Sequence, residues 1–217
     1  MTEDLATSKY GSRRRSPRRG RSHAQRSGET RARVLEAAVQ CIAEDGFQRT
    51  HLAEIASRAG VSVGAIQHQF SDKAGVLAAV VAHGFDALVS EVVRLPADSG
   101  ELPGRVARLV EATWTHYAQP QSRAALEIAL QMRSDPEFQS VSAPHLAQIR
   151  GAIDRMWMGF FWDLEASRGQ HVRAQRLLFT TLNGLIVESM LIPMRTDASR
   201  DLETLADSIV RILAPEA

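Results

Sequence analysis

Two short amphipathic segments separated by a glycine constrain the fold of this chain more than any other feature of its sequence. The first, HLAEIASRA, has apolar residues at helical spacing and is followed by Gly60. The second, VGAIQHQF, follows Ser62, a preferred N-cap residue, and has Ile66 and Phe70 on one side. A longer amphipathic segment precedes both. Two short helices joined by a tight turn and packed on a longer helix predict a helix-turn-helix.

The same periodicity continues along the rest of the chain and predicts an all-α protein of about nine helices. Cap residues and apolar spacing predict the first four helices. The first spans 30–44, and the second runs from an N-cap at Thr50 to Gly60. The third spans 63–70 after Ser62, and the fourth runs from Lys73, after Asp72, to about residue 95. Five more helices are predicted over 102–118, 122–133, 142–166, 171–192 and 199–213. No apolar run with the period of a strand suggests a sheet.

The second short helix has no acidic side chain, lysine or arginine, but it is rich in hydrogen-bonding groups. Gln67, His68 and Gln69 present amides and an imidazole, which can pair with base edges in the DNA major groove. Val63 can pack on a thymine methyl group, and Gly64 would let the backbone approach closely. The alternative is an ordinary solvated helix surface.

These residues carry a family resemblance. The stretch THLAEIASRAGVSVGAIQHQFSDKAGVL, from Thr50 to Leu77, resembles the DNA-binding domain of TetR-type transcriptional regulators, and the similarity extends over about residues 29–78. The resemblance implies a recognition helix that carries Ser62, Val63, Gly64, Gln67 and His68. It also implies that Thr50, Gln69 and Lys73 touch DNA phosphates.

The chain also differs from this family. Gln67 stands where tyrosine is common, and Gly75 stands where a glutamate of the first helical turn is common. The capping box that would pair such a glutamate with Asp72 is therefore missing. Residues 29–75 hold five basic and six acidic side chains, so this segment attracts phosphates only weakly.

An arginine-rich stretch at the N-terminus has the opposite charge balance. Residues 1–28 hold eight basic and two acidic side chains, so they carry +6, whereas the whole chain carries +1. The stretch GSRRRSPRRGRSHAQRSG has almost no apolar side chains, which predicts a disordered arm. Basic arms often bind nucleic acid. The alternatives are a solvated tail and, less favoured, an anionic membrane surface.

The patterns and the resemblance together imply three regions: an arm over 1–28, a DNA-binding domain over 29–76, and, by resemblance, an effector-binding and dimerisation domain over 77–217. No apolar run near the length of a membrane span and no signal peptide are evident, which predicts a soluble cytoplasmic protein. The single cysteine, Cys41, excludes an internal disulfide, and its place on an apolar helix side predicts a buried thiol.

An effector cavity is implied by the family resemblance. The stretch RMWMGFFWDLE is apolar on all sides from Met156 to Trp162, so it must be covered on several faces, by core or by a ligand. The candidate cavity residues are Trp114, Tyr117, Met156, Trp157, Phe160 and Asn183. Further polar candidates are His116, Glu127 and Glu188. We expect the effector to be small and largely apolar.

The last two predicted helices carry apolar stripes, which are Leu178, Leu182, Leu185 and Ile192, and Leu202, Leu205, Ala206, Ile209 and Leu213. The stripes fit either burial within one chain or the four-helix bundle by which regulators of the resembling family usually dimerise. A homodimer also suits DNA, because two recognition helices then meet successive major grooves of a palindrome.

Catalytic and metal motifs are missing from the sequence. It contains no nucleophile elbow, HExxH or phosphate-binding glycine loop, and its seven histidines show no i, i+3 or i+4 pairing. We therefore expect no catalytic residues, no metal and no cofactor. The resemblance implies a transcriptional regulator that occupies a palindromic operator and is released by an effector; it leans to repression, and activation stays open. The alternatives are a weakly specific DNA-associating protein without an effector, and an enzyme or carrier that uses the aromatic-rich domain.

Overall fold

The computed structural model describes residues 23–96, 100–192 and 197–214. The described chain is helical and without strands, which confirms the all-α prediction. Its nine α-helices are α1 (His23–Asp45), α2 (Leu52–Ala59), α3 (Val63–Phe70), α4 (Lys73–Val93), α5 (Leu102–Tyr117), α6 (Pro120–Gln131), α7 (Pro136–Phe160), α8 (Arg168–Leu191) and α9 (Ser199–Leu213), with a 3-10 turn at Phe47–Arg49 between α1 and α2.

Local hydrogen bonds fix the ends of the two short helices. Gly60 ends α2 in the left-handed conformation with φ of 62°, which favours glycine. The Ser62 hydroxyl caps α3 by accepting the amide of Ala65 at 3.1 Å. The Asp72 carboxylate caps α4 by accepting the amide of Gly75 at 2.8 Å. The chain thus forms the helix-turn-helix that the spacing predicts.

The cap of α2 differs from the prediction. His51 occupies the N-cap position and makes no side-chain cap bond. Thr50 is fully buried, and its hydroxyl donates to the carbonyl of Gly46 at 3.0 Å. A threonine can satisfy its hydroxyl on a carbonyl four residues earlier instead of capping the next helix.

The first helix begins earlier than the expected residue 30. Residues 23–28, assigned to the disordered arm from their composition, form the first turns of α1. The Gln69 amide of α3 holds this extension by donating to the Ser27 carbonyl at 3.2 Å and lying 3.3 Å from its hydroxyl. The rest of the predicted arm, residues 1–22, lies outside the described residues.

Helix α7 also begins earlier, at Pro136 rather than near residue 142. Asp135 caps it by accepting the Phe138 amide at 3.0 Å, and Pro136 occupies the first turn, where its missing N–H costs nothing. Pro144 lies inside the same helix. The predicted helix, 142–166, also contained Pro144, so the observed helix has the predicted length but lies six residues earlier and ends at Phe160.

Two apolar cores share α4. The first joins α1, α2 and α3 to the start of α4, and it also takes in Ala124, Ala125 and Ile128 of α6. The second joins the end of α4 to α5, α7, α8 and α9. Cys41 is fully buried in the first core, where burial raises the pKa of its thiol. Helix α1 and the 3-10 turn that follows it are therefore packed directly on α6.

The stripes of the last two helices are used mainly within the protomer. In α8, Leu178 and Leu182 are fully buried, and in α9 Leu205, Ile209 and Leu213 are buried in the second core. The large apolar side chains that stay exposed on and after α8 are Val172, Met190, Leu191 and Ile192.

Helix α4 is long and apolar enough to cross a membrane by length and composition, contrary to the expectation that no such run exists. Half of its most apolar window is buried inside the structure. Because α4 contributes to both cores, its apolar character is explained by packing on the other helices.

A buried histidine makes the stability of the second core depend on pH. The Trp157 indole N–H donates to Nδ1 of His171 at 3.1 Å, and burial lowers the pKa of His171 below its usual value. The unfolded chain binds a proton more readily, so stability should be retained above about pH 6.5 and lost as pH falls below it.

We expect denaturant midpoints between pH 8 and pH 5.5 to fall more steeply for the wild type than for His171→Gln, whose amide oxygen can still accept the indole N–H. The difference between the two proteins isolates His171 from the other titrating groups. Parallel pH profiles would contradict this role.

Candidate DNA-binding surface and internal cavity

The outward face of α3 is the first candidate site. Ile66 and Phe70 point into the first core, so the opposite side of the helix faces solvent. The exposed residues of this side are Ser62, Val63, Gly64, Gln67 and His68. These are the five residues that the family resemblance assigned to the recognition helix, and the structure brings them together on one surface. Their amide and imidazole groups can donate to and accept from base edges.

The three predicted phosphate contacts lie in different surroundings. Thr50 is buried and offers no side-chain atom to solvent. Gln69 is turned toward α1, where it binds Ser27. Lys73 is half-buried at the start of α4, with its ammonium 5.0 Å from the centre of the Phe47 ring, and burial lowers its pKa. Lys73 is therefore the strongest phosphate candidate of the three.

A further cation of this domain, Arg58, is engaged in a salt-bridge network. The Arg58 guanidinium of α2 binds the carboxylates of Glu44, Asp45 and Glu54. The side-chain atoms of Cys41, Asp45 and Glu54 that could bind a metal ion lie within 4.8 Å of one another. Arg58 already neutralises both of these carboxylates, so ion pairing between α1 and α2 accounts for the cluster. Arg58 is consequently a poor candidate for contact with phosphates.

The second candidate site is an internal cavity of about 160 Å³ between α4, α5, α6, α7 and α8. Val81, Gly84, Phe85 and Leu88 of α4 line one wall. Sequence reasoning missed these four residues, because on a helix that is apolar along its whole length no pattern marks the side that borders a cavity. Leu146 of α7 also lines the cavity and is 46% exposed, which puts the mouth beside it.

The polar lining comes from α5, α6 and α8. His116 and Tyr117 are neighbours on α5, and Asn183 reaches the same space from α8. Nδ1 of His116 is 3.0 Å from the Glu91 carboxylate, and the Ser122 hydroxyl donates to the His116 carbonyl at 2.8 Å. Burial raises the pKa of Tyr117 to about 12, so its phenol stays protonated at neutral pH.

The predicted cavity residues divide into two groups. Tyr117 and Asn183 line the cavity, as does the further candidate His116. Trp157 is buried in the second core, and Met156 and Phe160 border a separate groove against the end of α4. Trp114 lies beside the junction of α8 and α9, near the other polar candidate, Glu188. The apolar stretch around Trp157 is thus used mainly for packing.

Helix α6 connects the cavity to the helix-turn-helix. Ala125 lines the cavity and also belongs to the first core, which contains the DNA-binding helices. Two residues further on, the Glu127 carboxylate accepts the backbone N–H of Phe47 at 3.1 Å, in the turn between α1 and α2. Glu127, a candidate for fixing a ligand, instead joins the two parts of the molecule.

Comparison with known proteins agrees with this architecture. A family model of bacterial regulatory proteins, the tetR family, matches residues 34–80. The chain is 31% identical over 137 residues to the HTH-type transcriptional regulator Rv2912c of Mycobacterium tuberculosis. The aligned segment covers 61% of this chain and 68% of the relative.

Solved structures are similar over most of the chain. One is NalD of Pseudomonas aeruginosa, the secondary repressor of a multidrug efflux pump, with a TM-score of 0.61 and 23% identity over 88% of this chain and 98% of that one. Another is the transcriptional regulator FadR of Bacillus subtilis in complex with stearoyl-CoA, with a TM-score of 0.60 and 17% identity over 86% of this chain and 99% of that one.

These relatives are transcription regulators, so the comparisons indicate no enzymatic activity. Residues 34–80, which the family model matches, contain the whole helix-turn-helix and the first part of α4. The chain therefore belongs to the tetR family of bacterial regulatory proteins, the helix-turn-helix regulators of transcription.

Proposed function

We propose that this protein is a repressor that binds a palindromic operator as a homodimer and leaves it when a small molecule enters the cavity. The observation that carries the proposal is the outward face of α3, where exposed hydrogen-bonding side chains lie opposite the buried Ile66 and Phe70. In this proposal residues 29–76 bind DNA and residues 77–217 bind the effector and the second subunit. NalD, which has a similar fold, is described as a repressor.

The direct test is selection of bound fragments from the sheared genome of the source organism, at near-physiological salt and with competitor DNA. A few recovered fragments that share one palindrome would support a specific dimeric regulator. Recovery of unselected DNA that is lost when residues 1–22 are removed would overturn the proposal in favour of weakly specific association through the basic segment. The two outcomes differ in the gap between specific and nonspecific affinity.

Gln67 is the side chain most suited to base recognition, since its amide can donate and accept in a bidentate pair with adenine. We expect Gln67→Ala to weaken operator binding by about 1–3 kcal/mol and to relax preference at one base pair of each half-site. Binding to nonspecific DNA should stay unchanged. The matched control is Gln131→Ala, because Gln131 is an exposed residue of α6. Equal losses on operator and nonspecific DNA would place Gln67 on the phosphates instead.

A homodimer is supported by exposed apolar side chains near the two ends of α8. The stripes that suggested a dimer are mostly buried within the protomer, so the interface has to use other side chains. Val172 is 55% exposed and Leu191 is 75% exposed, and a second subunit would bury such residues. Two-fold pairing would also give the two recognition helices the symmetry of a palindrome.

Effector release is supported by the shared helix α6. A ligand that shifts α6 also shifts Ala125 in the first core and Glu127 on the turn at Phe47. To release DNA, the ligand must bind the DNA-free form more tightly, because coupling between two sites is reciprocal.

Glu127→Ala should lower the free energy of unfolding by about 1–3 kcal/mol, because the Phe47 N–H loses a charged acceptor. It should also change operator affinity, because α6 then holds the helix-turn-helix less firmly. Glu127→Gln, which keeps an acceptor oxygen, should lose less. Glu111→Ala, at an exposed residue of α5, is the control, and urea unfolding with operator titration is the measurement. Equal stability of the Glu127 and Glu111 variants would contradict the coupling.

A further inference from the structure

The size and lining of the cavity define a class of ligand, provided that the proposed effector role is correct. Its volume of about 160 Å³ is close to that of an engineered apolar cavity, ~150 Å³, that binds benzene. A single ring with a short substituent therefore fits without rearrangement of the helices. Larger effectors would have to displace a wall.

The lining excludes a charged ligand. Among the described residues that line the cavity, none is an aspartate, glutamate, lysine or arginine. The histidine, His116, already has its Nδ1 bound to Glu91. An ion in this space would lose its hydration without gaining a counter-charge, which is strongly unfavourable. The ligand should therefore be neutral.

The polar groups of the lining differ in what they can offer a ligand. Ser122 donates its hydroxyl proton to the His116 carbonyl, so this donor is used. Tyr117 and Asn183 both line the cavity, and the Tyr117 phenol stays protonated at neutral pH because burial raises its pKa to about 12. The Tyr117 O–H is therefore a hydrogen-bond donor at the cavity wall.

We infer that the cavity binds a neutral single-ring compound with one hydrogen-bond acceptor, such as an aryl ketone, ester or ether, and that this acceptor receives the Tyr117 hydroxyl. The apolar side chains of α4, including Phe85 and Leu88, enclose the ring. Entry is past Leu146, where the rim is exposed.

Four probes of similar size separate these requirements: acetophenone, ethylbenzene, benzoate and benzylammonium. Calorimetric titration of the purified protein without DNA should show binding of the two neutral probes. Acetophenone should bind about 2- to 13-fold more tightly than ethylbenzene, the range of one hydrogen bond. The two ions should not bind. The inference is overturned if either ion, or a two-ring probe such as naphthalene, binds more tightly than the neutral single-ring probes. It is also overturned if a neutral probe does not bind up to its solubility limit.

Two variants assign the binding to this cavity. Tyr117→Phe should remove the advantage of acetophenone and leave ethylbenzene binding unchanged; a persisting advantage would overturn the role of Tyr117. Ala129→Trp, on the exposed part of the lining, should block every probe, whereas Ala147→Trp, exposed on α7 outside the lining, should not. Probe binding that survives Ala129→Trp would place the site elsewhere.

The effector role is tested separately. If acetophenone binds as expected but leaves operator affinity unchanged, the ligand class stands and effector release fails. If operator binding responds only to a charged or larger molecule, the ligand class fails and effector release stands.

Discussion

Gly75→Ala is expected to unfold the helix-turn-helix and abolish operator binding. An alanine Cβ at this position would lie 1.8 Å from the carbonyl oxygen of Phe70 and 3.0 Å from its carbonyl carbon. Both are backbone atoms, so no side-chain rotation relieves the clash. Moving the backbone would disturb the reversal at Ser71, which has φ of 69°, and the cap from Asp72 to the Gly75 amide. We expect a loss of about 3 kcal/mol or more in stability.

The matched control lies on the neighbouring helix. An alanine Cβ at Gly64 would have only the Ser62 hydroxyl near it, at 3.9 Å, so Gly64→Ala should fold and gain up to about 1 kcal/mol from its higher helix propensity. Hydrogen exchange of the amides of α2 and α3, with urea unfolding, measures both effects. If Gly75→Ala were as stable as Gly64→Ala, the junction of α3 and α4 would be more adaptable than the structure indicates.

This glycine illustrates what the sequence could and could not predict. Local chemistry was sufficient for the caps at Ser62 and Asp72 and for the end of α2 at Gly60, since each depends on atoms within a few residues. At Gly75 the sequence indicated only a missing capping box. The close approach of the Phe70 carbonyl became visible only with the fold.

The same distinction applies to the candidate sites. The exposed face of α3 follows from one helix, so spacing was enough to group Gln67 with His68. The cavity is formed by five helices, and Tyr117 and Asn183 are 66 residues apart, so no local pattern could pair them. The apolar run at Trp157 suggested a ligand wall, yet it is buried against His171. Hydrophobicity indicates that a residue is covered, and the fold decides what covers it.

Deletion of residues 1–22 is expected to cause the largest loss of DNA affinity among the changes that leave the helix-turn-helix folded. The segment carries seven basic and two acidic residues. Residues 29–75 hold six acidic side chains against five basic ones, and Arg58 is held by three carboxylates, so the folded domain attracts phosphates only weakly. Gln69 fixes Ser27 beside α3, and α1 begins one turn earlier at His23. The start of α1, to which the basic segment is joined in the sequence, therefore lies close to the recognition helix.

Each lost phosphate contact should flatten the logarithmic salt dependence of binding by about 0.9, so seven contacts would remove about 6 from the slope for each subunit. Operator and nonspecific DNA should lose affinity together, because phosphates carry no sequence. Titrations between 50 and 200 mM salt measure this effect. Six arginines of this segment can be replaced together: Arg13, Arg14, Arg15, Arg18, Arg19 and Arg21. Lysine at these positions should preserve the salt slope, whereas glutamine should lower it to nearly the slope of the deletion. An unchanged slope after deletion would assign the phosphate contacts to the folded domain, with Lys73 as their first candidate.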